Sequence, residues 1–386
     1  MKPKKLTILT ADADMRLVWR ESIAAFSRLG HTIAARPEIT PRGLAKAFAL
    51  PPAKSGMADR PSLLFSINFN GLDKHGDIYK ECKRGGLPVA VWLVDTPWNI
   101  LSGLRDDFWK DVFLFVTDPS FIPGLKEHGA KHVSFLPLAT DPAVFNIAAQ
   151  PVNRTQKGKP AAAVAFVGRS AFPNKDRFFV GQSVPEEALE TAFAGLHDGK
   201  RPDFFWWREK LALQNTALWP GSAARRISLG AEESSLAWRS MCLTASAESG
   251  LVVYGDSGWK NILPDNAALL PPVDYYTTLA DVYRNAPFSL TAMSFLLPHA
   301  VNQRYFDIWA AGGFAVLDNT PGLDIFPPEL TEPVTFKKPG DIPDIIKRFT
   351  NAPEEKERLA AKWRETVLAE HTYNIRARDL IKTVFS

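Results

Sequence analysis

The chain has 386 residues, which exceeds the usual size of one domain and indicates two. Hydrophobic residues make up 46% of it and charged residues 23%, a balance that allows a sizeable core. A net charge of +4 without dense Lys/Arg runs gives no indication of nucleic-acid binding. No stretch approaches the roughly 18 apolar residues of a membrane span, and the two distant cysteines, Cys82 and Cys242, do not indicate a disulfide framework. We therefore expect a cytoplasmic protein.

Short apolar runs alternate with helical patterns at the start of the chain. Near-continuous apolar strands separated by helices are typical of a parallel sheet covered on both faces. The candidate strands are 6–10, 31–35, 62–68, 89–95, 112–118 and 132–138, and the candidate helices lie near 14–29, 41–49, 77–85 and 120–128. We assign residues 1–150 to a first domain built on such a sheet.

A second alternating region follows a polar, Pro- and Gly-containing linker at 148–163. Its candidate strands are 164–168, 251–255, 288–292, 314–318 and, more weakly, 334–336; its candidate helices are 275–285, 302–311, 341–350, 354–369 and 374–385. We assign residues 151–373 to the second domain and 374–386 to a C-terminal helix.

Residues 176–250 lie where such a fold usually has a single crossover helix, so we interpret them as a helical insertion. The insertion is rich in tryptophan, with Trp206, Trp207, Trp219 and Trp238. These indoles either pack the insertion onto its domain or form a platform for an acceptor or a partner.

Two predicted strands of the second domain end in glycine. Gly168, Arg169 and Ser170 follow the strand at 164–168, and Tyr254 and Gly255 end the strand at 251–255. Glycine lets the backbone approach a phosphate closely, and arginine can bind a phosphate with its planar fork. Each segment also fits an ordinary turn.

The segment 298–313 predicts a loop, an amphipathic helix near 302–311 and a stop at Gly312 and Gly313. A helix start that bears polar residues can hold a phosphorylated ligand. The candidate ligand residues of this segment are His299, Asn302, Arg304, Asp307 and Gly313.

No metal motif is evident. The seven histidines are dispersed, and the only DxD is Asp12-Ala13-Asp14, which fits a helix N-cap better than a metal site. We therefore expect no metal and no bound cofactor.

Several segments resemble the CgeB-type (spore-maturation) bacterial glycosyltransferases. They are INFNG and VWLVDTPWN in the first half, and VGRS, VYGDSGW, PPVDYYTTLADVYRNAPFSLTAM, PHAVNQRYFDIWAAGGFAVLDN and EHTYNIRARDLI in the second. The resemblance implies a GT-B fold, with two Rossmann-like domains, a cleft between them and a helical insertion in the second. It also implies that the last helix, 374–386, packs back across the domains.

The same resemblance implies site roles. The nucleotide-sugar, with a UDP-sugar favoured, would be held by the second domain, where Asp307 would contact the ribose hydroxyls. His299 stands where retaining relatives often carry a sugar-contacting Glu, and this departure favours an inverting mechanism. GT-B enzymes typically stabilise the leaving diphosphate with basic side chains and helix N-termini instead of a metal, and Arg169 and Arg304 suit that task.

An inverting transfer needs a general base, which GT-B enzymes usually supply from the N-terminal domain. Asp95 at the end of a central strand is the first candidate, ahead of Asp118 and Asp141. Each of these carboxylates could equally be a helix or turn cap.

The function that the sequence favours is therefore transfer of a sugar from a nucleotide-sugar to a glycan or protein, such as flagellin or a surface polysaccharide. Two alternatives stay open. One is a nucleotide-sugar epimerase of the same fold, and the other is a non-catalytic GT-B-like binding protein. Fold alone does not separate them.

Overall fold

The computed structural model describes residues 5–11, 18–49, 61–145 and 163–386. The chain divides into two compact units. The first comprises Met1–Leu138, Ala217–Ala224 and Tyr373–Ser386, and the second comprises Ala139–Thr216 and Arg225–Thr372. Within the described residues, each unit contains one six-stranded parallel sheet.

The sheet of the first unit has the strand order β2-β1-β3-β4-β5-β6. The strands are β1 (Thr7–Ala11), β2 (Thr32–Arg36), β3 (Leu63–Ile67), β4 (Val89–Leu93), β5 (Phe113–Val116) and β6 (His132–Phe135). The helices between them are Trp19–Arg28, Pro41–Ala49, Asp77–Arg84, Pro97–Leu101 and Ile122–Glu127. Central strands β1, β3 and β4 are buried along their whole length, as expected for apolar strands covered on both faces.

Two later segments complete the first unit. The C-terminal helix Tyr373–Phe385 packs against helix Trp19–Arg28, and the Tyr373 ring lies edge-on to Trp92 of β4 at 6.1 Å. The segment Ala217–Ala224 is fixed by Trp219, whose ring lies 6.1 Å from that of Trp109. Part of the predicted insertion therefore belongs to the first unit.

The sheet of the second unit has the strand order β12-β11-β10-β7-β8-β9. The strands are β7 (Val164–Val167), β8 (Leu251–Tyr254), β9 (Ala268–Leu270), β10 (Phe288–Leu290), β11 (Ala315–Asp318) and β12 (Thr335–Phe336). The insertion between β7 and β8 contains the helices Lys175–Phe178, Glu186–Ala194, Phe204–Lys210 and Ser222–Ser246, and the later helices are Leu279–Asn285, Arg304–Ala310, Pro328–Thr331, Ile342–Asn351 and Pro353–Glu370.

The predicted strands are confirmed with small shifts of their ends, and so are the predicted helices that lie in described residues. The sequence prediction missed β9, because three residues followed by two prolines give too short a pattern to recognise. The Asp12-Ala13-Asp14 tripeptide lies outside the described residues, and so does the predicted linker at 148–163 except for its last residue. Among residues 5–11, 18–49, 61–145 and 163–386, we find no helix that could span a membrane.

Candidate functional site

The strand order of the second unit reverses beside β7. The chain runs from β7 outward to β8 and β9 and then returns to the other side of β7 as β10. In open α/β sheets, ligands bind beyond the carboxyl ends of the strands at such a reversal. The residues that follow β7 and β10, together with those after β8, are therefore the candidate ligand site of this unit.

The two predicted glycine segments meet at this edge. The Gly168 N–H donates to the Tyr254 carbonyl (3.1 Å), and the Trp259 indole donates to the Gly168 carbonyl (2.9 Å). A Cβ on Gly255 would lie 2.5 Å from that same carbonyl oxygen. Glycine is required at position 255 because the two loops pack backbone to backbone.

Asp256 joins the same loops through its carboxylate. It accepts hydrogen bonds from the Ser170 hydroxyl (2.5 Å) and from the backbone N–H groups of Ser170 (2.9 Å) and Gly258 (3.0 Å). Burial raises the pKa of Asp256, but these hydrogen bonds outweigh it and the pKa lies below its ordinary value. The N–H and the hydroxyl of Ser170 are thus both engaged by Asp256, a residue that the sequence analysis did not select.

Three arginines lie at or near the Gly168 loop. Arg169 is exposed, and its carbonyl accepts a hydrogen bond from Arg239 (2.9 Å) of the insertion. The Arg239 side chain is 12% exposed and pairs with Glu232 at 3.2 Å. Arg304 also lies close to the loop, because a Cβ on Gly168 would lie 3.4 Å from one of the Arg304 terminal nitrogens. This concentration of positive charge suits an anionic ligand.

The helix predicted near 302–311 is observed as Arg304–Ala310, but the predicted amphipathic character is wrong. Every residue from Tyr305 to Ala310 is buried. The helix packs against helix Pro353–Glu370, where Trp309 stacks on Trp363 at 4.8 Å, and the Tyr305 hydroxyl donates to the Asp318 carbonyl (2.7 Å). Neighbouring segments of the protein therefore cover the face of this helix that was expected to be exposed to solvent.

Asp307 of this helix is 1% exposed. Its Oδ1 accepts a hydrogen bond from the Thr140 hydroxyl (2.7 Å) and its Oδ2 accepts one from the Tyr275 hydroxyl (2.8 Å). A ribose hydroxyl would have to share or replace one of these partners. The ribose contact of Asp307 stays a prediction.

His299 and Asn302 lie on the loop between β10 and this helix. His299 is half-buried, and the carbonyls on either side of it, those of Pro298 and Ala300, accept from the Thr320 hydroxyl at 3.0 and 3.1 Å. The Asn302 side-chain oxygen accepts from the Arg304 N–H (3.0 Å), so Asn302 supports the start of the helix two residues before Arg304.

Gly313 does not join the other candidates. It follows the C-terminal end of helix Arg304–Ala310 and precedes β11, at the amino end of the strands. A Cβ at this position would lie 2.6 Å from the Tyr283 carbonyl oxygen. Close packing at the opposite edge of the sheet therefore accounts for this glycine.

Asp318, at the carboxyl end of β11, is a second residue that the sequence analysis missed. It is fully buried, forms an ion pair with Arg201, and accepts from the Trp238 indole (2.8 Å) and the Met293 N–H (2.7 Å). Burial raises its pKa, although Arg201 and these donors oppose that effect. Asp318 thus connects the insertion to the loop that follows β10.

Of the three candidate bases, Asp95 and Asp118 lie in the first unit and Asp141 lies in the second, and their surroundings differ. Asp118 is buried and accepts from the Ser120 N–H (2.9 Å), and Asp141, in the second unit, is buried and accepts from the Ala143 N–H (3.0 Å). Both therefore act as caps. Asp95 is exposed, and it accepts a hydrogen bond from the Asn68 side-chain amide (2.7 Å).

Residues 239–382 match the family described as "Glycosyl transferase-like". The matched segment runs from the end of the insertion through β12 to the last helix, and it includes the loop and helix that carry His299, Arg304 and Asp307. The match confirms the sequence prediction of a glycosyltransferase-like domain in the second half of the chain. No curated protein matches the sequence.

Several solved structures are similar in fold to this chain. HepE from Anabaena, in complex with UDP and glucose, has a TM-score of 0.54 at 10% identity, over 99% of this chain and 100% of that one. OtsA, solved in its apo form, has a TM-score of 0.51 at 12% identity, over 99% of each chain. The DNA modifying enzyme beta-glucosyltransferase, solved with and without uridine diphosphoglucose, has a TM-score of 0.50 at 7% identity, over 98% of this chain and 99% of that one.

These similarities and the two parallel sheets confirm the predicted α/β, two-domain GT-B fold. At such low identity they establish the fold alone.

Proposed function

We propose that this protein is a CgeB-type glycosyltransferase that moves a sugar from a nucleotide-sugar, with a UDP-sugar favoured, to a hydroxyl of a glycan or protein. The transfer inverts the anomeric configuration and needs no metal ion. The observation that carries this proposal is the glycosyltransferase-like match over residues 239–382, which includes the loop and helix between β10 and β11. The solved HepE structure with bound UDP and glucose supports the choice of donor.

The donor diphosphate would lie over the Gly168 loop at the reversal of the strand order. Arg169 and Arg304 supply positive charge there, and leaving-group charge is what such an enzyme must stabilise. Asp256 and Ser170 hold the two glycine loops together beneath it. In this proposal Asp307 accepts from the ribose hydroxyls, and His299 faces the sugar.

The acceptor hydroxyl would be deprotonated by Asp95. A base must reach its proton at hydrogen-bonding distance, so an exposed carboxylate suits the task better than the capping carboxylates of Asp118 and Asp141. The carboxylate takes the acceptor proton while the acceptor oxygen attacks the anomeric carbon and the bond to the nucleotide diphosphate breaks.

Purified protein incubated with UDP-, GDP- and dTDP-sugars tests the proposal. We expect nucleoside diphosphate to be released only when a glycan or protein acceptor is present, and proton NMR of the product to show an inverted anomeric centre. The same rate should be found with EDTA as without it. Sugar interconversion without an acceptor would favour the epimerase, and nucleotide binding without turnover would favour the binding protein.

A further inference from the structure

The turn after β3 has an unusual backbone. Asn68 and Phe69 are consecutive residues with positive φ angles, 51° and 60°, in the left-handed region. This conformation is unfavourable for residues with a Cβ, and only Asn and Asp adopt it with some ease. Residues held in such conformations cluster at functional sites. The turn lies at the carboxyl edge of the sheet, where β3 neighbours both β1 and β4.

The neighbours of the turn hold it in place. The Phe69 ring is buried and lies edge-on to Phe108 at 5.7 Å. The Asn68 N–H donates to the Trp92 carbonyl (3.0 Å), which extends the pairing of β3 with β4. A Cβ on Gly71 would lie 2.2 Å from Cβ of Ala11, so the turn also packs closely against the end of β1.

The amide of Asn68 has a defined orientation. Its Oδ1 accepts from the Val94 N–H (2.9 Å), and its Nδ2 donates to Oδ2 of Asp95 (2.7 Å). Because a backbone N–H can only donate, the oxygen of the amide must face Val94 and the nitrogen must face Asp95. The Asn68 side chain therefore forms hydrogen bonds to the backbone of residue 94 and to the carboxylate of residue 95 at the same time.

We propose that Asn68 is a positioning residue that orients the Asp95 carboxylate for proton abstraction. The inference rests on the proposed transferase function and deepens it. A hydrogen bond to one carboxylate oxygen restricts the rotamers and the orientation of an exposed aspartate side chain. Asn68 supplies that bond as a neutral donor. A lysine or arginine in its place would add a full positive charge beside a group that has to accept a proton.

Two substitutions at position 68 separate positioning from a purely structural role. Asn68→Asp keeps an oxygen for the Val94 N–H and tolerates the left-handed backbone, but it places a second carboxylate against Asp95. Asn68→Ala removes both side-chain hydrogen bonds. Asn70→Ala is the matched control, because Asn70 is exposed in the same turn. Its hydrogen bonds are made by its backbone: the Asn70 N–H donates to the Ile67 carbonyl, and the Asn70 carbonyl accepts from the Ser66 hydroxyl.

For Asn68→Asp and Asn68→Ala, we do not expect the losses of kcat to follow the losses of melting temperature. Asn68→Asp should melt closer to the wild-type temperature than Asn68→Ala does. Its kcat for sugar transfer should nevertheless fall at least as far as that of Asn68→Ala, by roughly tenfold to a hundredfold, since misplacing a reacting group costs rate steeply. The donor KM should stay within about twofold in both, because the donor is held by other residues. Asn70→Ala should match the wild type in both measurements.

Two results would overturn the inference while the proposed sugar transfer itself still stands, and the second would also remove the base role proposed for Asp95. In the first, kcat follows the melting temperature, so that Asn68→Asp is nearly as active as the wild type. In the second, Asp95→Asn transfers sugar at the wild-type rate. Absence of transfer by the wild-type protein with every donor would instead contradict the proposed function, and the positioning role would fall with it.

Discussion

Arg201 forms an ion pair with Asp318, a carboxylate that has no exposed surface. The two residues come from distant parts of the second unit, the insertion and the carboxyl end of β11. The guanidinium also lies over the Trp238 ring at 4.9 Å and the Phe295 ring at 5.3 Å. The insertion is thus held to the loop that follows β10 by the ion pair with the buried carboxylate and by the contacts of the guanidinium with the two aromatic rings.

Arg201→Met should therefore destabilise the protein strongly. The substitution leaves Asp318 buried without its cation, and breaking a buried pair in this way costs about 3–5 kcal/mol. Urea unfolding measures the loss. The control is Arg84→Met, because Arg84 is 72% exposed where it pairs with Glu81, and such surface pairs contribute about 0–1 kcal/mol. Similar losses for the two variants would contradict this account of the Asp318 pair.

Asp256 should contribute stability that depends on pH. Its pKa is below the ordinary value, because hydrogen bonds from Ser170 and Gly258 outweigh the effect of burial. A depressed folded-state pKa gives stability that is present above the unfolded pKa of about 3.9 and is lost as the pH falls through the folded value. The free energy of unfolding of Asp256→Asn should thus fall less than that of the wild type between neutral pH and about pH 3. Parallel curves for the two proteins would show that Asp256 makes no such contribution.

The sheets and most helix positions could be predicted from the sequence, because buried parallel strands are apolar runs and their spacing is local information. The loops after β7 and β8 were also found, since glycine at a strand end is a local signal. Asp256 and Asp318 were missed because their roles depend on partners brought together by folding. Arg201 and Asp318 are 117 positions apart in the chain, and no periodicity links them. The position of the helix Arg304–Ala310 was predicted correctly. Its burial was not predicted, because a sequence does not show how many neighbours will cover a short helix.

Gly255→Ala should disturb the candidate donor site through its backbone. The added methyl group would lie 2.5 Å from the Gly168 carbonyl oxygen and 2.6 Å from the Trp259 ring. The two loops must then move apart, at a cost of about 1–3 kcal/mol, as for other overpacked positions. We expect a lower melting temperature and a smaller thermal stabilisation by UDP. Gly340→Ala is the control, because a Cβ on exposed Gly340 meets no atom within 4 Å among the described residues.

Asp307 and its two hydroxyl partners give the sharpest test of nucleotide binding. In Asp307→Asn, the side-chain oxygen can still accept from Thr140, and the new amide N–H can donate to the Tyr275 oxygen, so the fold should be kept. The variant has lost the second acceptor oxygen that a ribose diol needs. Saturating UDP should therefore raise the melting temperature of the wild type and leave that of Asp307→Asn nearly unchanged.

Tyr275→Phe is the matched control for this measurement. It removes the hydroxyl that donates to Oδ2 of Asp307 and keeps the ring that packs edge-on to Phe145 at 5.2 Å. If a ribose hydroxyl replaces Tyr275 at that oxygen, the variant should be stabilised by UDP at least as much as the wild type, because the ligand no longer competes with a protein donor. Full stabilisation of Asp307→Asn by UDP would contradict the ribose contact. Loss of stabilisation in Tyr275→Phe alone would instead assign nucleotide binding to the tyrosine hydroxyl, with Asp307 orienting it.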